Sequence, residues 1–380
     1  MNPITIIGSG FAAYQLVKTL RRFNAEVPIR VITADEGHDY NKPDLSHVVS
    51  KQQSPADLIT ATASEFVEQQ NIELCAEHFV SNIDTEQKVV VANDNSFAYS
   101  SLVLATGAKP FVPPIDGLKE SQPITLNSLQ EFAQYEARLN KAKSVMVIGG
   151  GLIGVEISMD LASANKKVTL AEPSARLMSN QLPELIALKL DQSMRSMNVD
   201  LKLGQGVKQV SKTDAGFVLL LDNDDVVNVD EVIVCTGLIP NTILAKDAGI
   251  STNRGICVDD AMQTSCEGIY ALGDCAEQNG QVRAYLQPTV ISASSLAKTL
   301  LGERTSVVLP NMMVKVKTPS YPIQIGGTTL ESAVNRWNLD VQADGIVAKA
   351  FNEEDVMIGF VATKEKTKQA FPLLRELSTQ

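Results

Sequence analysis

The fold is decided by ITIIGSGFAA at residues 4–13, which is typical of a short apolar strand, a glycine turn and the start of a helix. The same unit returns as SVMVIGGGLIG at residues 144–154. Glycines let the backbone approach a pyrophosphate, and a helix N-terminus offers it N–H donors and positive potential. One such motif is weak evidence. Two copies predict two nucleotide-binding domains, with helices over residues 12–22 and 152–164.

Each glycine motif leads to a second strand with an acidic end. Asp35 and Glu172 lie 27 and 23 residues after the first glycine of their motifs, close to the roughly 20 expected in a dinucleotide fold. Both carboxylates are expected to accept hydrogen bonds from ribose hydroxyls. Glu172 would repel a 2′-phosphate and so favours NADH over NADPH, whereas Arg176 nearby could accommodate that phosphate or be a solvated surface charge.

Apolar strands that end in Thr-Gly also occur twice, at residues 102–107 and 232–237. A further apolar strand ends in Gly273-Asp274, and a helix is predicted over residues 289–301 with Gly302 just past its end. Alternating polarity at residues 314–317 and 346–350 predicts half-buried antiparallel strands. The fold class expected is therefore α/β, with two doubly wound Rossmann-like domains and a small α+β C-terminal domain.

Composition and charge exclude several classes of protein. The 380 residues carry a formal net charge of −11, which disfavours nucleic acid and anionic membranes as partners. The span from 311 to 380 is neutral, so the whole excess lies in residues 1–310. No apolar run reaches the roughly 18 residues that span a bilayer, and residues 1–10 are expected to be mature structure rather than a signal peptide.

Cysteines and histidines predict neither a disulfide framework nor a metal site. The cysteines are odd in number, none is spaced as C-x-x-C, and a reduced cytoplasmic chain is expected. No histidine has a second ligand at a recognisable spacing. The residues concerned are Cys75, Cys235, Cys257, Cys266, Cys275, His38, His47 and His78. A redox pair among the last three cysteines stays open beside the interpretation that they are small buried side chains.

The order of these motifs resembles the pyridine-nucleotide disulfide oxidoreductases over essentially the whole chain. That resemblance implies FAD at the first glycine motif and NADH at the second. It also implies that Asp274 binds the ribityl chain of FAD. Lys42 and Glu156 would be the catalytic residues, with Lys42 beside flavin N5 and paired with Glu156. The alternatives from the residues alone are a solvated loop lysine and an acid that interacts with the helix dipole.

The implied cofactor contacts fall into two sets. The set for FAD is Gly8, Ser9, Gly10, Phe11, Ala12, Ala13, Asp35, Lys42, Pro43, Val80, Ala105, Thr106, Gly107, Gly273 and Asp274. The set for NADH is Gly149, Gly150, Gly151, Leu152, Ile153, Gly154, Glu172, Thr236 and Gly237. The expected domains are an FAD domain in two parts, 1–112 and 240–310, an NAD domain at 113–239, and a C-terminal domain at 311–380.

One departure from the family is informative. Members that reduce disulfides carry two cysteines four residues apart in the first nucleotide domain, but here residues 1–234 contain only Cys75. A dithiol relay is therefore not expected. Residues 40–47 and 253–277 are similar to the ferredoxin and rubredoxin reductase branch, which lacks the thiol pair. More narrowly, four segments are similar to reductases that serve nitric-oxide-reducing flavorubredoxins: residues 8–13, 41–47, 309–310 and 314–319.

The resemblance implies hydride transfer from NADH to flavin N5, followed by single electrons to a protein iron centre. The expected acceptor is a flavorubredoxin or a rubredoxin, with nitric oxide detoxification as the purpose. A rubredoxin reductase for alkane oxidation or oxidative stress, a disulfide reductase and a flavin-bearing redox sensor with little turnover are the alternatives. Lys315 and Lys317, two apart on a predicted strand, are expected either to dock an acidic iron protein or to form the wet face of a sheet.

Overall fold

The structure, a computed structural model, describes residues 2–377. The chain divides into two compact units. The first unit comprises the described residues up to Lys42, Pro55–Lys109 and Leu238–Leu309. The second comprises Pro43–Ser54, Pro110–Gly237 and the described residues from Pro310 onward. The three predicted domains stay a prediction, and their outermost residues, 1 and 378–380, lie outside the described part.

The first unit is built on a parallel sheet of five strands. In spatial order these are Ile269–Ala271, Ser101–Leu104, Ile4–Ile7, Ile29–Ile32 and Glu73–Cys75. The three central strands are almost entirely buried, as their runs of Ile, Val and Leu require when both faces of a sheet are covered. Helices Phe11–Phe23 and Leu286–Leu300 pack against each other in this unit.

Short elements complete the first unit. Its antiparallel strands are Val80–Asp84 with Val89–Ala92 and Asn95–Ala98, and Asp39–Tyr40 with Ile59–Ala61. Ile256–Val258, Ala276–Gln278 and Gln281–Val282 form a mixed sheet, and Leu238–Pro240 is a further strand. The short helices are Pro55–Leu58, Ala63–Gln70, Ile243–Asp247 and the 3₁₀ turn Gly273–Cys275. Strand Ala108–Pro110 and the 3₁₀ turn Lys42–His47 each run across a division between the units.

The second unit contains another parallel sheet. Its strands in spatial order are Asp200–Leu203, Lys167–Glu172, Ser144–Ile148 and Glu231–Val234. The helices are Leu129–Lys141, Leu152–Ser163 and Glu184–Ser196. An antiparallel sheet of Val207–Thr213, Gly216–Leu221 and Val226–Val229 adjoins it.

The C-terminal part of the second unit is an antiparallel sheet with one helix. The strands in spatial order are Met313–Val316, Ile323–Gly327, Met357–Thr363, Gly345–Phe351 and Arg336–Gln342. The 3₁₀ turn Lys364–Gln369 leads into helix Ala370–Glu376, and a small core of Val347, Phe360 and Leu373 joins that helix to the sheet.

The predicted α/β class, with its small α+β C-terminal part, is confirmed. The bounds of single helices differ by a few residues from those predicted. The two helices after the glycine motifs lie at Phe11–Phe23 and Leu152–Ser163. The third helix begins at Leu286 rather than 289, because Pro288 is tolerated within a first turn. Gly302 follows that helix with φ +100°, as predicted for a glycine past a helix end. Within residues 2–377, no helix is long and apolar enough to cross a membrane.

Candidate dinucleotide-binding sites

The two glycine turns have the same construction. Gly8 has φ +113°, and a Cβ there would lie 2.4 Å from the carbonyl oxygen of Ala105. Gly149 has φ +109°, and a Cβ there would lie 2.6 Å from the carbonyl oxygen of Cys235. Each turn therefore needs a glycine where the strand of the Thr-Gly motif passes it. The sequence motif that occurs twice therefore makes the same backbone contact in both copies.

The space in front of each helix fits a pyrophosphate. Gly10 and Gly151 are the N-caps of helices Phe11–Phe23 and Leu152–Ser163, and neither helix start has a side-chain cap. A Cβ added at either glycine would meet nothing within 4 Å in the described chain. The first-turn N–H groups therefore face open space at the positive end of a helix, which is the arrangement that binds phosphate groups.

The later motif positions pack tightly inside each turn. A Cβ at Gly154 would lie 1.9 Å from the carbonyl oxygen of Gly149, so the helix approaches its own turn too closely for a side chain. Ala13 holds the equivalent place in the first motif and is fully buried. Phe11, Leu152 and Ile153 open the two helices, and Ile153 is half-exposed.

Asp35 is held at the edge of the first turn by three donors to one oxygen. Its Oδ1 accepts hydrogen bonds from Ser9 Oγ at 2.6 Å, Thr33 Oγ1 at 2.8 Å and the Gly37 N–H at 2.9 Å. Within residues 2–377 Oδ2 takes none, so that oxygen is left to accept from a ribose hydroxyl. The Asp35 carbonyl accepts a hydrogen bond from the Glu77 N–H, and this contact places the segment before Val80 next to Asp35.

Glu172 is bonded to the second turn itself. Its Oε2 accepts the Gly150 N–H at 2.7 Å, and its Oε1 accepts the Ser174 N–H at 2.8 Å. Each carboxylate oxygen has a second lone pair, so ribose hydroxyls can still be accepted. The Arg176 guanidinium lies 3.1 Å from Glu331 of the C-terminal sheet region.

The two Thr-Gly corners are tied down by different partners. In the first unit Thr106 donates its hydroxyl to the carbonyl of Asn241 at 2.8 Å, and the Asn241 amide donates to the Thr106 carbonyl at 2.8 Å. In the second unit Thr236 donates its hydroxyl to the carbonyl of Phe111 at 2.6 Å. Gly107 and Gly237 both have positive φ and open space beside them.

Lys42 and Asp274, far apart in sequence, lie together in the first unit. Lys42 Nζ is 3.4 Å from Asp274 Oδ2, and both side chains are partly exposed. Asp274 sits on a tight turn whose Gly273 has φ +81°, and a Cβ at Gly273 would lie 2.5 Å from the Cβ of Ala12. The Gly-Asp tip is therefore packed directly on the helix that begins at the first glycine turn.

Glu156 lies buried on the helix of the second turn. Its Oε2 accepts from Ser46 Oγ at 2.8 Å, and its Oε1 accepts the Lys317 N–H at 2.8 Å. One helical turn later, buried Asp160 accepts the N–H groups of Val49 and Ser50 and the Ser50 hydroxyl. This helix face thus fixes residues 43–54, which follow Lys42. The pairing of Lys42 with Glu156 stays a prediction.

The structure separates the two lysines that sequence reasoning treated alike. Lys315 is exposed, but Lys317 lies just past the strand Met313–Val316 and is half-buried. Its Nζ donates to the carbonyl of Pro43, and burial lowers its pKa, an effect opposed by nearby Glu156. The expectation of a shared exposed face was therefore wrong for Lys317, because its ammonium is hydrogen-bonded within the second unit.

All five cysteines are free thiols. Burial raises the pKa of Cys235 to about 12, and burial also raises the pKa of Cys275, which is fully buried. Within residues 2–377, no group of three His, Cys, Asp or Glu side chains is placed to hold a metal ion.

The chain belongs to the pyridine nucleotide-disulphide oxidoreductase family, whose profile matches residues 2–294. A profile for the rubredoxin binding C-terminal domain matches residues 306–377. The family resemblance predicted from the motifs is thereby confirmed, and it makes the chain an oxidoreductase. The family also supports FAD and NADH as the cofactors. Which turn holds which cofactor stays a prediction.

Individual relatives agree over the full length. The chain is 50% identical over 377 residues to the nitric oxide reductase FlRd-NAD(+) reductase of Aliivibrio fischeri, covering 99% of both chains. It is 46% identical to the protein of that name from an Escherichia coli O81 strain, again with 99% of both chains covered. A ferredoxin reductase from Rhodopseudomonas palustris has the same fold, with a TM-score of 0.90, 23% identity, and coverage of 100% of this chain and 96% of that one.

Sequence reasoning missed several residues that build the sites. Thr33 and Asn241 have no motif of their own and act through ordinary polar contacts. Asp160 did have a sequence signal, because it lies four residues after Glu156 on an otherwise uncharged helix, and that spacing places both carboxylates on one face. Glu331 carried none.

Proposed function

We propose that this chain is an FAD-dependent oxidoreductase that carries electrons from NADH to the rubredoxin-type iron of a flavorubredoxin in the cytoplasm, for nitric oxide reduction. The observation that carries the proposal is the match of residues 306–377 to the rubredoxin binding C-terminal domain. The same chain contains the two glycine turns, Gly8–Gly10 and Gly149–Gly151, whose open space fits a pyrophosphate and which we call the two cradles. Relatives at 45–50% identity over the whole chain bear a name for that activity.

In this proposal each of the two cradles binds one cofactor. The turn at Gly8–Gly10 would hold the pyrophosphate of FAD, with Asp35 on the ribose and Asp274 on the ribityl chain. The turn at Gly149–Gly151 would hold the pyrophosphate of NADH, with Glu172 on its ribose. When bound, FAD accepts a hydride and releases electrons singly, chemistry that no side chain can supply. The protein contributes alignment and electrostatics.

Lys42 and Glu156 are the catalytic residues of the proposal. Lys42 offers an ammonium that stabilises negative charge on a reduced ring system, and its 3.4 Å approach to Asp274 keeps it oriented in the first unit. Glu156 is buried with both oxygens hydrogen-bonded, so its position is well defined. Lys42→Met is expected to slow flavin reduction by NADH in single-turnover measurements, with rates expressed per bound FAD.

Electrons must leave without a thiol relay. Residues 1–234 contain only Cys75, so the dithiol of disulfide-reducing members cannot form there. A one-electron acceptor outside the chain is the remaining route. Of the two C-terminal lysines discussed above, Lys315 stays exposed, and it is available to steer an acidic partner.

Competition between acceptors tests the proposal. Purified enzyme with NADH would be offered three iron proteins at equal concentration: the rubredoxin domain of a flavorubredoxin, a free-standing rubredoxin and a plant-type ferredoxin. The flavorubredoxin domain is expected to be reduced with the highest kcat/KM. A higher value for free rubredoxin would favour the second candidate, a rubredoxin reductase of another pathway, which the C-terminal profile also fits. Negligible turnover with all three would reject both in favour of a redox sensor.

A lysine pair supplies the matched control. Lys315→Glu should raise the KM for the iron protein at low salt, whereas Lys208→Glu, an exposed lysine on the antiparallel sheet of residues 207–229, should not. Reduction of ferricyanide, which needs no docking surface, should be equal in both variants. Equal KM values for the iron protein would remove Lys315 from the proposal without affecting the assignment of the cradles.

A further inference from the structure

Arg176 lies on a loop whose two ends are both hydrogen-bonded to the second glycine turn. At the start of the loop the Glu172 carboxylate accepts the Gly150 N–H at 2.7 Å. At its end the Met178 N–H donates to the Gly150 carbonyl at 2.9 Å. Arg176 thus follows closely after Glu172, the residue proposed to bind the ribose, and an arginine in that position can accept a 2′-phosphate.

That guanidinium is already engaged. Arg176 Nη2 lies 3.1 Å from Glu331 Oε1, a residue of the C-terminal region 155 positions away. The Glu331 N–H also donates to the carbonyl of Asn180 at 3.2 Å, so backbone and side chain both bind Glu331 to the stretch that carries Arg176. The turn that presents Glu331 is closed by hydrogen bonds from Ala333 and Val334 N–H to the Leu330 carbonyl.

We infer that Glu331 is a specificity-determining residue for the pyridine nucleotide. By holding Arg176, it withholds the guanidinium from a 2′-phosphate and favours NADH over NADPH. This inference rests on the proposed function, because it concerns the nucleotide that the second turn binds. Glu331 thereby supports Glu172, whose carboxylate repels the same phosphate.

The size of the effect follows from exposure. The side chains of Arg176 and Glu331 are 32% and 64% exposed. Exposed ion pairs are weak, so freeing Arg176 should improve the use of NADPH by about two- to fivefold rather than invert the preference. The improvement should appear in KM, because a phosphate contact on the ribose is made equally in the ground state and the transition state.

Nucleotide kinetics with Glu331→Gln test the inference. Oxidation of NADH and NADPH would be followed with ferricyanide as acceptor, and binding of 2′-phospho-ADP-ribose and ADP-ribose would be titrated separately. The ratio of kcat/KM for NADPH to that for NADH should rise about two- to fivefold. Asp355→Asn is the matched control, because it removes another exposed arginine pair, with Arg336, in the same C-terminal region. It should leave the ratio unchanged.

A double variant decides whether Arg176 is the mediator. Adding Arg176→Ala to Glu331→Gln should abolish the gain in NADPH use and in 2′-phospho-ADP-ribose affinity. A gain that persists without Arg176, or an unchanged ratio in Glu331→Gln, overturns the inference. Oxidation of NADH by the unaltered enzyme is the internal reference, since its absence would refute the proposed function, whereas the ratio of affinities for 2′-phospho-ADP-ribose and ADP-ribose would still test the role of Glu331.

Discussion

Replacing Gly10 by Asp separates cofactor binding from folding. Gly10 has φ −71° and ψ 179°, an extended conformation that any residue adopts, and a Cβ there meets nothing within 4 Å. Asp is also among the preferred N-cap residues, so the helix Phe11–Phe23 should gain a few tenths of a kcal/mol. The variant should therefore fold as well as the unaltered protein without its cofactor.

Binding of FAD should suffer severely, because the new carboxylate occupies the place of the pyrophosphate. Two unit charges about 4 Å apart repel by about 4 kcal/mol at an effective dielectric constant of about 20. That energy corresponds to a loss of about three powers of ten in affinity. Gly10→Asn, which adds a neutral N-cap residue of the same size, is the control for bulk alone and should retain more FAD.

The flavin absorbance of purified protein and a fluorescence titration of apoprotein with FAD measure this effect. Thermal unfolding of the apoproteins checks that the fold is intact. Gly151→Asp makes the same change in the other turn, where φ is −74° and space is equally open, and it should stay yellow while losing affinity for NADH. Full flavin content in Gly10→Asp, or equal loss of FAD in both aspartate variants, would refute the reasoning.

Three further outcomes are expected. Glu172→Ala should weaken the preference for NADH over NADPH in steady-state kinetics, since it removes a charge that repels the 2′-phosphate, and an unchanged ratio would reject that role. Cys275 should resist alkylation at about pH 8 until the protein is unfolded, because its side chain is fully buried and burial raises its pKa, and rapid labelling of native protein would contradict this. The Ser144 and Lys143 N–H groups lower the pKa of Asp230, so its contribution to stability is present at neutral pH and lost as the pH falls through the folded pKa. Asp230→Asn should accordingly lower the free energy of unfolding at neutral pH but not in acid, as denaturant titrations at several pH values would show.

The parts of the fold that were predictable are those with a local signature. The strand, turn and helix at residues 4–13 are specified by an apolar run, by glycines and by the helix that follows, all within one short segment. The same holds for residues 144–154. Asp35 and Glu172 were found because the distance from turn to acid is set by one helix and one loop.

The parts that were not predictable depend on distant chain segments. Asn241 is hydrogen-bonded to Thr106, which lies 135 residues away in sequence, and Glu331 pairs with Arg176, which lies 155 residues away. No periodicity marks such contacts. Lys317 illustrates the same limit, because alternation along a strand states which residues share a face but not what covers that face. Its neighbour Pro43 belongs to a different stretch of sequence entirely.

The packing of Gly273 on Ala12 has a consequence for biosynthesis. The first cradle emerges from the ribosome at once, but the tip that completes it follows roughly 260 residues later, which takes about 13–50 s at about 5–20 residues per second. During that interval the N-terminal strands lack the neighbour Ile269–Ala271 that closes one edge of their sheet. If the first turn holds FAD as proposed, its loading is a late event, and shortened chains that end before this tip would leave the ribosome colourless.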